Sequence, residues 1–261
     1  MGRMRGSMKD IIEAAGMVLS AMPVGEYDKR VVLLTKQLGR ITAFARGARR
    51  QNSPLLASTR PFTFGTFSLY AGRNSYTLQN AEITEYFEGM GTDLEAVAYG
   101  CYFAEIAEYY TREGVDESQM LNLLYVSLKA LLTASIPNPL VRRIYELRAM
   151  VINGEYPQVF QCMECGKDLT SGKYRKQQGG MICLECRGND YNTVLVHDAA
   201  LYALQYVVTV PLQKLYCFTL RSDAFQEMEQ VVEAGVNRFI DKKFHSLKVL
   251  EALQIDKNPV K

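Results

Sequence analysis

No tryptophan occurs among the 261 residues, and there are only two histidines, His197 and His245. The residue that most often serves as a general base is therefore nearly missing. Neither histidine sits in a recognisable catalytic motif; His197 and Asp198 stand where a helix should begin, so capping is the simpler role. Glycines are plentiful but form no phosphate cradle, since neither G-x-x-x-x-G-K-[ST] nor G-x-G-x-x-G occurs. H-E-x-x-H and G-x-S-x-G are missing as well. Carboxylates such as Glu105 and Glu108 share a helix face, as they do in any helical protein. Long apolar runs are also lacking: none approaches the roughly 18 residues that span a bilayer. The run from Ile11 to Met22 is interrupted by Glu13 and makes no export signal. These absences favour a binding protein over an enzyme and point to the cytoplasm.

What is present is uneven charge. The net value of +2 hides a split: residues 1–80 hold 12 Lys and Arg against 4 Asp and Glu, and residues 81–261 hold 18 against 24. The first part suits a polyanion, and the rest does not. Discounting Arg3 and Arg5 of the opening MGRMRGS leaves the conclusion intact.

The basic part centres on residues 24–50, VGEYDKRVVLLTKQLGRITAFARGARR. RVVLLT is β-branched and aliphatic, which favours a strand. After the turn KQLG, residues 40–46 alternate with period two. Ile41, Ala43 and Ala45 share one face, while Arg40, Thr42, Phe44 and Arg46 share the other. An aromatic plate among guanidinium groups suits a single nucleic-acid strand, by stacking and phosphate neutralisation; an ordinary solvated strand would look similar. The pattern predicts strands at 14–22, 29–35, 40–46, 61–70 and 75–83, with a mobile basic loop at 47–60 that includes a helical turn near Leu55. In the fourth strand the apolar parity switches at Gly65, which signals a β-bulge or barrel corner. Five short strands with such a bend fit an OB-fold barrel; an SH3-like barrel or a meander fits less well.

Beyond Glu85 the texture is helical. Thr92 and Glu95 form a capping-box pattern ahead of an almost wholly apolar helix at 94–110. Further helices are expected at 118–133, from the cap Asn138 to about Val151, at 198–209, and at 223–241 with Ser222 as cap. Cys101 and Cys217, without partners of suitable spacing, are expected in the core.

The remaining cysteines read C-x2-C-x17-C-x2-C: Cys162, Cys165, Cys183 and Cys186. This spacing belongs to structural zinc sites. The intervening segment is polar and glycine-rich, so the ion would supply what packing cannot. Disulfides are disfavoured without export, and a redox pair would need a strand–helix setting that is not visible. Lys167, Lys173, Arg175, Lys176 and Arg187 are read as compensating the site's charge of about −2.

Basic five-strand pattern, helical remainder and interrupting zinc module occur in an order that resembles the RecO family of bacterial recombination mediators. The likeness is carried by GEYDKRVV at 25–32, LGRI at 38–41, ARGARR at 45–50, RPFT from Arg60 and RRIYEL at 142–147, and it runs from about Lys9 to Leu253. It implies an α+β chain: an OB-fold domain at 1–84, a helical domain at 85–158 and 190–255, and a four-cysteine zinc module at 159–189 holding one structural Zn2+. It further implies binding of single- and double-stranded DNA without strong sequence preference, annealing of complementary strands, and action with RecR, SSB and RecA at the nucleoid. Carried onto this chain, the DNA contacts are Arg30, Lys36, Arg40, Phe44, Arg46, Arg49, Arg50, Arg60 and Arg73. Arg142, Arg143 and Arg148 are the candidates for the acidic tail of SSB, the alternative being pairing with Glu146 and solvent. A nuclease-like zinc enzyme and a zinc-ribbon transcription adaptor remain the competing functions.

Overall fold

The alternating and β-branched segments of the first third become five strands, β1 (Ile11–Val24), β2 (Asp28–Thr35), β3 (Gly39–Ala45), β4 (Phe64–Ala71) and β5 (Tyr76–Glu85). The computed structural model describes residues 11–73, 75–186 and 192–257. The strands close into a barrel in the order β1-β2-β3-β5-β4, with β3 and β5 parallel and the other pairs antiparallel. This is the OB-fold arrangement. Closure depends on β1, which pairs with β2 along one edge and β4 along the other and carries a register shift between Val18 and Ser20. Val18, Val31, Leu33, Ile41, Phe67 and Leu69 fill the interior.

Gly65 lies where the parity change places it. The β4–β5 register shifts between Phe64 and Gly65, and a Cβ at Gly65 would run into the carbonyl of Glu82. Phe62, outside the strand, is buried to 6% exposure and takes φ 71°. Residues 47–60 differ from the mobile loop expected. Ala48 (0% exposed) and Leu55 (6%) plug the barrel, and the short helix α1 (Leu55–Ser58) follows a series of hydrogen-bonded turns. Burying those two side chains ties the loop down.

Two compact units emerge, Met1–Thr92 with Ala107–Leu121 and Asp93–Ile106 with Asn122–Lys261. The helices are α2 (Leu94–Tyr110), α3 (Ser118–Leu131), α4 (Asn138–Ile152), α5 (Asp198–Thr209), α6 (Ser222–Phe239) and α7 (His245–Lys257). In the second unit the Phe103 and Tyr145 rings stack with centroids 4.2 Å apart, and the Tyr145 hydroxyl donates to the Phe103 carbonyl at 2.8 Å. Stacking and a satisfied hydroxyl together fix two large buried side chains.

Several local expectations are corrected. The cap of α2 is Asp93, whose Oδ1 accepts from the Ala96 N–H at 3.0 Å, because Thr92 ends a 3-10 turn and donates back to Gly89. Neither α4 nor α6 has a side-chain cap; their cap positions are Pro137 and Arg221, one residue before Asn138 and Ser222. Cys101 and Cys217 are exposed. Cys101 shares an outward stripe of α2 with Leu94, seven residues earlier, which is 68% exposed.

His197 does not cap α5 through its ring. Its Nδ1 lies 2.5 Å from Glu227 Oε1, and its backbone N–H donates to Oε2 at 2.8 Å. The hydrogen bond to Glu227, reinforced by that carboxylate's charge, raises the imidazole above its usual 6.5. A raised folded value stabilises fully below pH 6.5, and the contribution fades as pH climbs through the raised value. Melting temperatures of wild type and His197→Ala measured between about pH 6 and 8 should therefore converge as pH rises.

Candidate nucleic-acid interface and metal centre

In β3 the burial alternates as the sequence does. Ile41, Ala43 and Ala45 face inward, Arg40, Thr42 and Phe44 are half-buried on the outer side, and Arg46 is exposed. Register places Arg30 of β2 directly across from Phe44, so cation and ring are cross-strand neighbours. At the end of β3, Gly47 takes φ +66° and its N–H donates to Asp28 Oδ1 at 2.7 Å. The chain then doubles back along the β1–β2 turn. There the Arg49 N–H donates to the Tyr27 carbonyl at 2.8 Å, and its guanidinium reaches the carbonyls of Gly25 and Glu26 at 3.2 and 3.1 Å. The Arg50 guanidinium stands 5.1 Å above the Tyr27 ring. Lys29 donates to Thr59 Oγ1 at 2.9 Å; burial and then the charges of Arg60 and Arg49 push its pKa down.

Arg30, Phe44, Arg46, Arg49, Arg50 and Arg60 thus come together at this end of the barrel. Among the described residues, none of these five arginines has a carboxylate within ion-pair distance. Cations left uncompensated by the protein's own acids are what a polyanion needs.

The other end of β2 is built differently. Six strand residues at about 3.3 Å each put Lys36 about 20 Å from Arg30. Residues 111–117 lie along the β2–β3 turn: Arg40 N–H donates to the Arg112 carbonyl at 3.0 Å, Gly114 N–H to Leu38 and Glu117 N–H to Lys36, both at 2.9 Å. Gly39 is required there, with φ +67° and no room for a Cβ against the Arg112 carbonyl. Arg40 itself is engaged, Nη1 with Glu108 at 3.3 Å and Nε with the Thr111 carbonyl at 3.1 Å. Lys36 is exposed on this turn, and Arg73 is exposed on the β4–β5 hairpin.

The four thiols of the cysteine module converge. Cys162, Cys165, Cys183 and Cys186 have their sulfurs within 4.8 Å of one another, with Cys162–Cys186 at 3.8 Å and Cys165–Cys183 at 3.9 Å. A tetrahedral ion bound at about 2.3 Å needs sulfurs about 3.8 Å apart, whereas a disulfide needs about 2.05 Å. The donor set fits a metal such as zinc. Gly166, with φ +74°, turns the first knuckle. Burial would raise the Cys162 thiol, but N–H groups led by that of Cys183, 3.3 Å away, bring it down to about 6. Preparing a thiolate in this way favours a cation. The module also has more core than expected: β6 (Gly172–Arg175), β7 (Gly180–Ile182) and β8 (Thr193–Val196) form a sheet. Tyr174, Met181, Ile182 and Val196 are each 0% exposed in it. Lys167 pairs with Glu185 at 3.2 Å and Arg175 with Glu164 at 2.5 Å, the glutamates between the cysteines. Arg187 lies outside the described residues.

On α4 the three arginines have internal partners. Glu146, 0% exposed, receives Arg142 Nε at 2.8 Å, Arg143 Nη1 at 2.9 Å and the Tyr102 hydroxyl at 2.7 Å. Arg143 also binds Glu229 at 2.9 Å, and Arg142 stands 5.1 Å above the Tyr102 ring. Burial alone would raise Glu146, but Arg143 and Arg142 outweigh it and hold the carboxyl below its usual range. Arg148 donates to the carbonyls of Val207 and Val208 at 3.0 and 2.6 Å, near the C-terminal end of α5.

Residues 8–87 match the recombination protein O N-terminal family and residues 91–248 its C-terminal family. The chain belongs to the recombination protein O family. RecO relatives match end to end. The DNA repair protein RecO of Alkaliphilus metalliredigens is 28% identical over 93% of this chain and all of its own length. That of Acetivibrio thermocellus is 27% identical over 93% and 97% of the two chains, and that of Bacillus pumilus 28% over 94% and 95%. RecO membership makes this a DNA repair and recombination protein. Two residues of the basic surface, Tyr27 and Lys29, are not evident from sequence. For Tyr27 the only signal is an aromatic residue inside the polar turn VGEYDK, where no periodicity marks a surface; Lys29, the second residue of β2, is one cation among several in the basic segment.

Proposed function

We propose that the chain is a DNA-binding recombination mediator that works by binding alone. It holds single-stranded DNA on the barrel, brings complementary strands together, and acts with RecR and SSB in the cytoplasm to help load RecA. One observation carries this reading: the uncompensated arginines at the β1–β2 end surround two aromatic rings. Neutralising the phosphates of two strands removes their mutual repulsion, and stacking holds bases without reading their edges. Base-edge readout has no obvious side-chain set, so little sequence preference follows. No described helix is long and apolar enough to cross a membrane.

In this reading Cys162, Cys165, Cys183 and Cys186 hold one Zn2+, which supplies cross-linking of the two knuckles and, with four thiolates, no open position for chemistry. The acidic tail of SSB would have to compete with Glu146 and Glu229 for Arg142 and Arg143. The experiment is annealing of complementary oligonucleotides, bare and SSB-coated, without ATP. Accelerated duplex formation with both strands chemically intact is the expected result. No acceleration on bare strands, or strand cleavage on adding divalent metal, would remove the mediator reading.

A further inference from the structure

Tyr27 sits at the tip of the β1–β2 turn and is 44% exposed. The turn is held from its backbone side, through the Arg49 bonds to Gly25, Glu26 and the Tyr27 carbonyl. Nothing in that scaffold uses the ring. The Arg50 guanidinium stands over the ring, 5.1 Å from its centroid, and the residue is still exposed. An aromatic surface left wet has little structural purpose, since burying it would be favourable.

Beside it is a concentration of positive charge. Burial first, and then the charges of Arg60 and Arg49, disfavour the charged form of Lys29. The neighbouring carboxylate Asp28 is occupied by the Gly47 N–H at 2.7 Å. Lys29 is steered by neutral acceptors, Thr59 Oγ1 and the Leu56 carbonyl. Lys29 and Arg49, both directed by neutral acceptors, together with the exposed Arg60 nearby form a cationic cluster that suits an anion. Phe44 is a poorer platform, being half-buried between Arg30 and Thr77 across the two neighbouring strands.

Building on the nucleic-acid reading of the barrel, we propose that this turn is a single-strand-selective subsite: one unpaired base stacks on Tyr27, and its adjoining phosphate sits among Lys29, Arg49 and Arg60. A base within a duplex is stacked on its neighbours and cannot offer its face to the ring. Duplex DNA would use the phosphate half of the subsite only.

The test is fluorescence anisotropy with a labelled thymidine oligomer and with a duplex of equal length, on the full chain. Tyr27→Ala should weaken single-strand binding about tenfold, leave the duplex within about twofold, and leave the salt slope unchanged because no charge is lost. Tyr27→Phe keeps the ring and should bind as wild type. Lys29→Gln should lower the single-strand salt slope by about 0.7, one phosphate contact. Equal losses on both DNAs, no loss on either, or a Tyr27→Phe defect matching Tyr27→Ala would overturn the proposal while leaving the barrel as the DNA site. A wild-type chain that binds neither DNA would instead overturn the functional reading beneath it.

Discussion

Cys183→Ser is expected to abolish stoichiometric zinc and to melt the four-cysteine module well below the rest of the chain. Cys183 is 6% exposed, its N–H points at Cys162 Sγ, and its own sulfur lies 3.9 Å from Cys165. Losing it removes a ligand and leaves three thiols crowded around a vacated corner. Structural zinc contributes an apparent 10–16 kcal/mol in finger peptides, roughly. The loss here should be smaller, because Tyr174, Met181, Ile182 and Val196 give the module a buried core of its own. Elemental analysis should give about one zinc per wild-type chain, as expected of a four-ligand structural site, and little in the variant. Limited proteolysis should then cut first between the two cysteine pairs. Cys217→Ser is the matched control: the residue is exposed and outside the cluster, so metal content and melting should not change. Barrel binding of single strands should survive Cys183→Ser within about twofold, since a four-thiolate ion would support a fold and carry no phosphate contact. A wild-type chain without zinc, or a variant melting like wild type, would end the metal assignment.

The parts of this molecule that could be read from sequence are those whose partners are near in the chain. The cysteine pairs announce themselves because each knuckle needs two ligands two residues apart, and β3 announces its faces because strand geometry alternates side chains strictly. Gly65 was legible because a backbone constraint leaves its mark on residue type. The fates of the arginines were not legible. Arg40 meets Glu108 at a separation of 68 residues, and Arg143 meets Glu229 across 86. Nothing local distinguishes Arg40, held by an acid, from Arg46, which has none among the described residues. The four-cysteine module looked almost coreless because its third strand, β8, lies after the last cysteine, and its buried Val194 and Val196 count only once paired with β6. Thr92 and Asp93 compete for one cap, and a preceding 3-10 turn decided between them.

Reversing Arg46, Arg49 and Arg50 together to glutamate should reduce single-strand affinity by about 10²–10³ at 50 mM salt and flatten the salt dependence by about two units of log–log slope. The slope is the more diagnostic of the two. Each phosphate neutralised on a single strand contributes about 0.7, so three lost contacts account for the change, whereas a misfolded barrel would lose binding without a defined slope. Arg49 complicates the triple variant, because its bonds to Gly25 and Glu26 also hold the turn. The double variant Arg46→Glu/Arg50→Glu leaves those bonds in place and should keep the wild-type melting temperature while showing about two-thirds of the slope change. Arg40→Glu supplies the contrast. Its guanidinium is already held by Glu108 and the Thr111 carbonyl, so reversal sets two carboxylates side by side. It should lower stability while changing DNA affinity far less than the other reversals. Equal binding defects from Arg40→Glu and from the double variant would mean that the strand crosses the strapped β2–β3 turn as well. Unchanged affinity and slope in the triple variant would mean that it does not use the barrel.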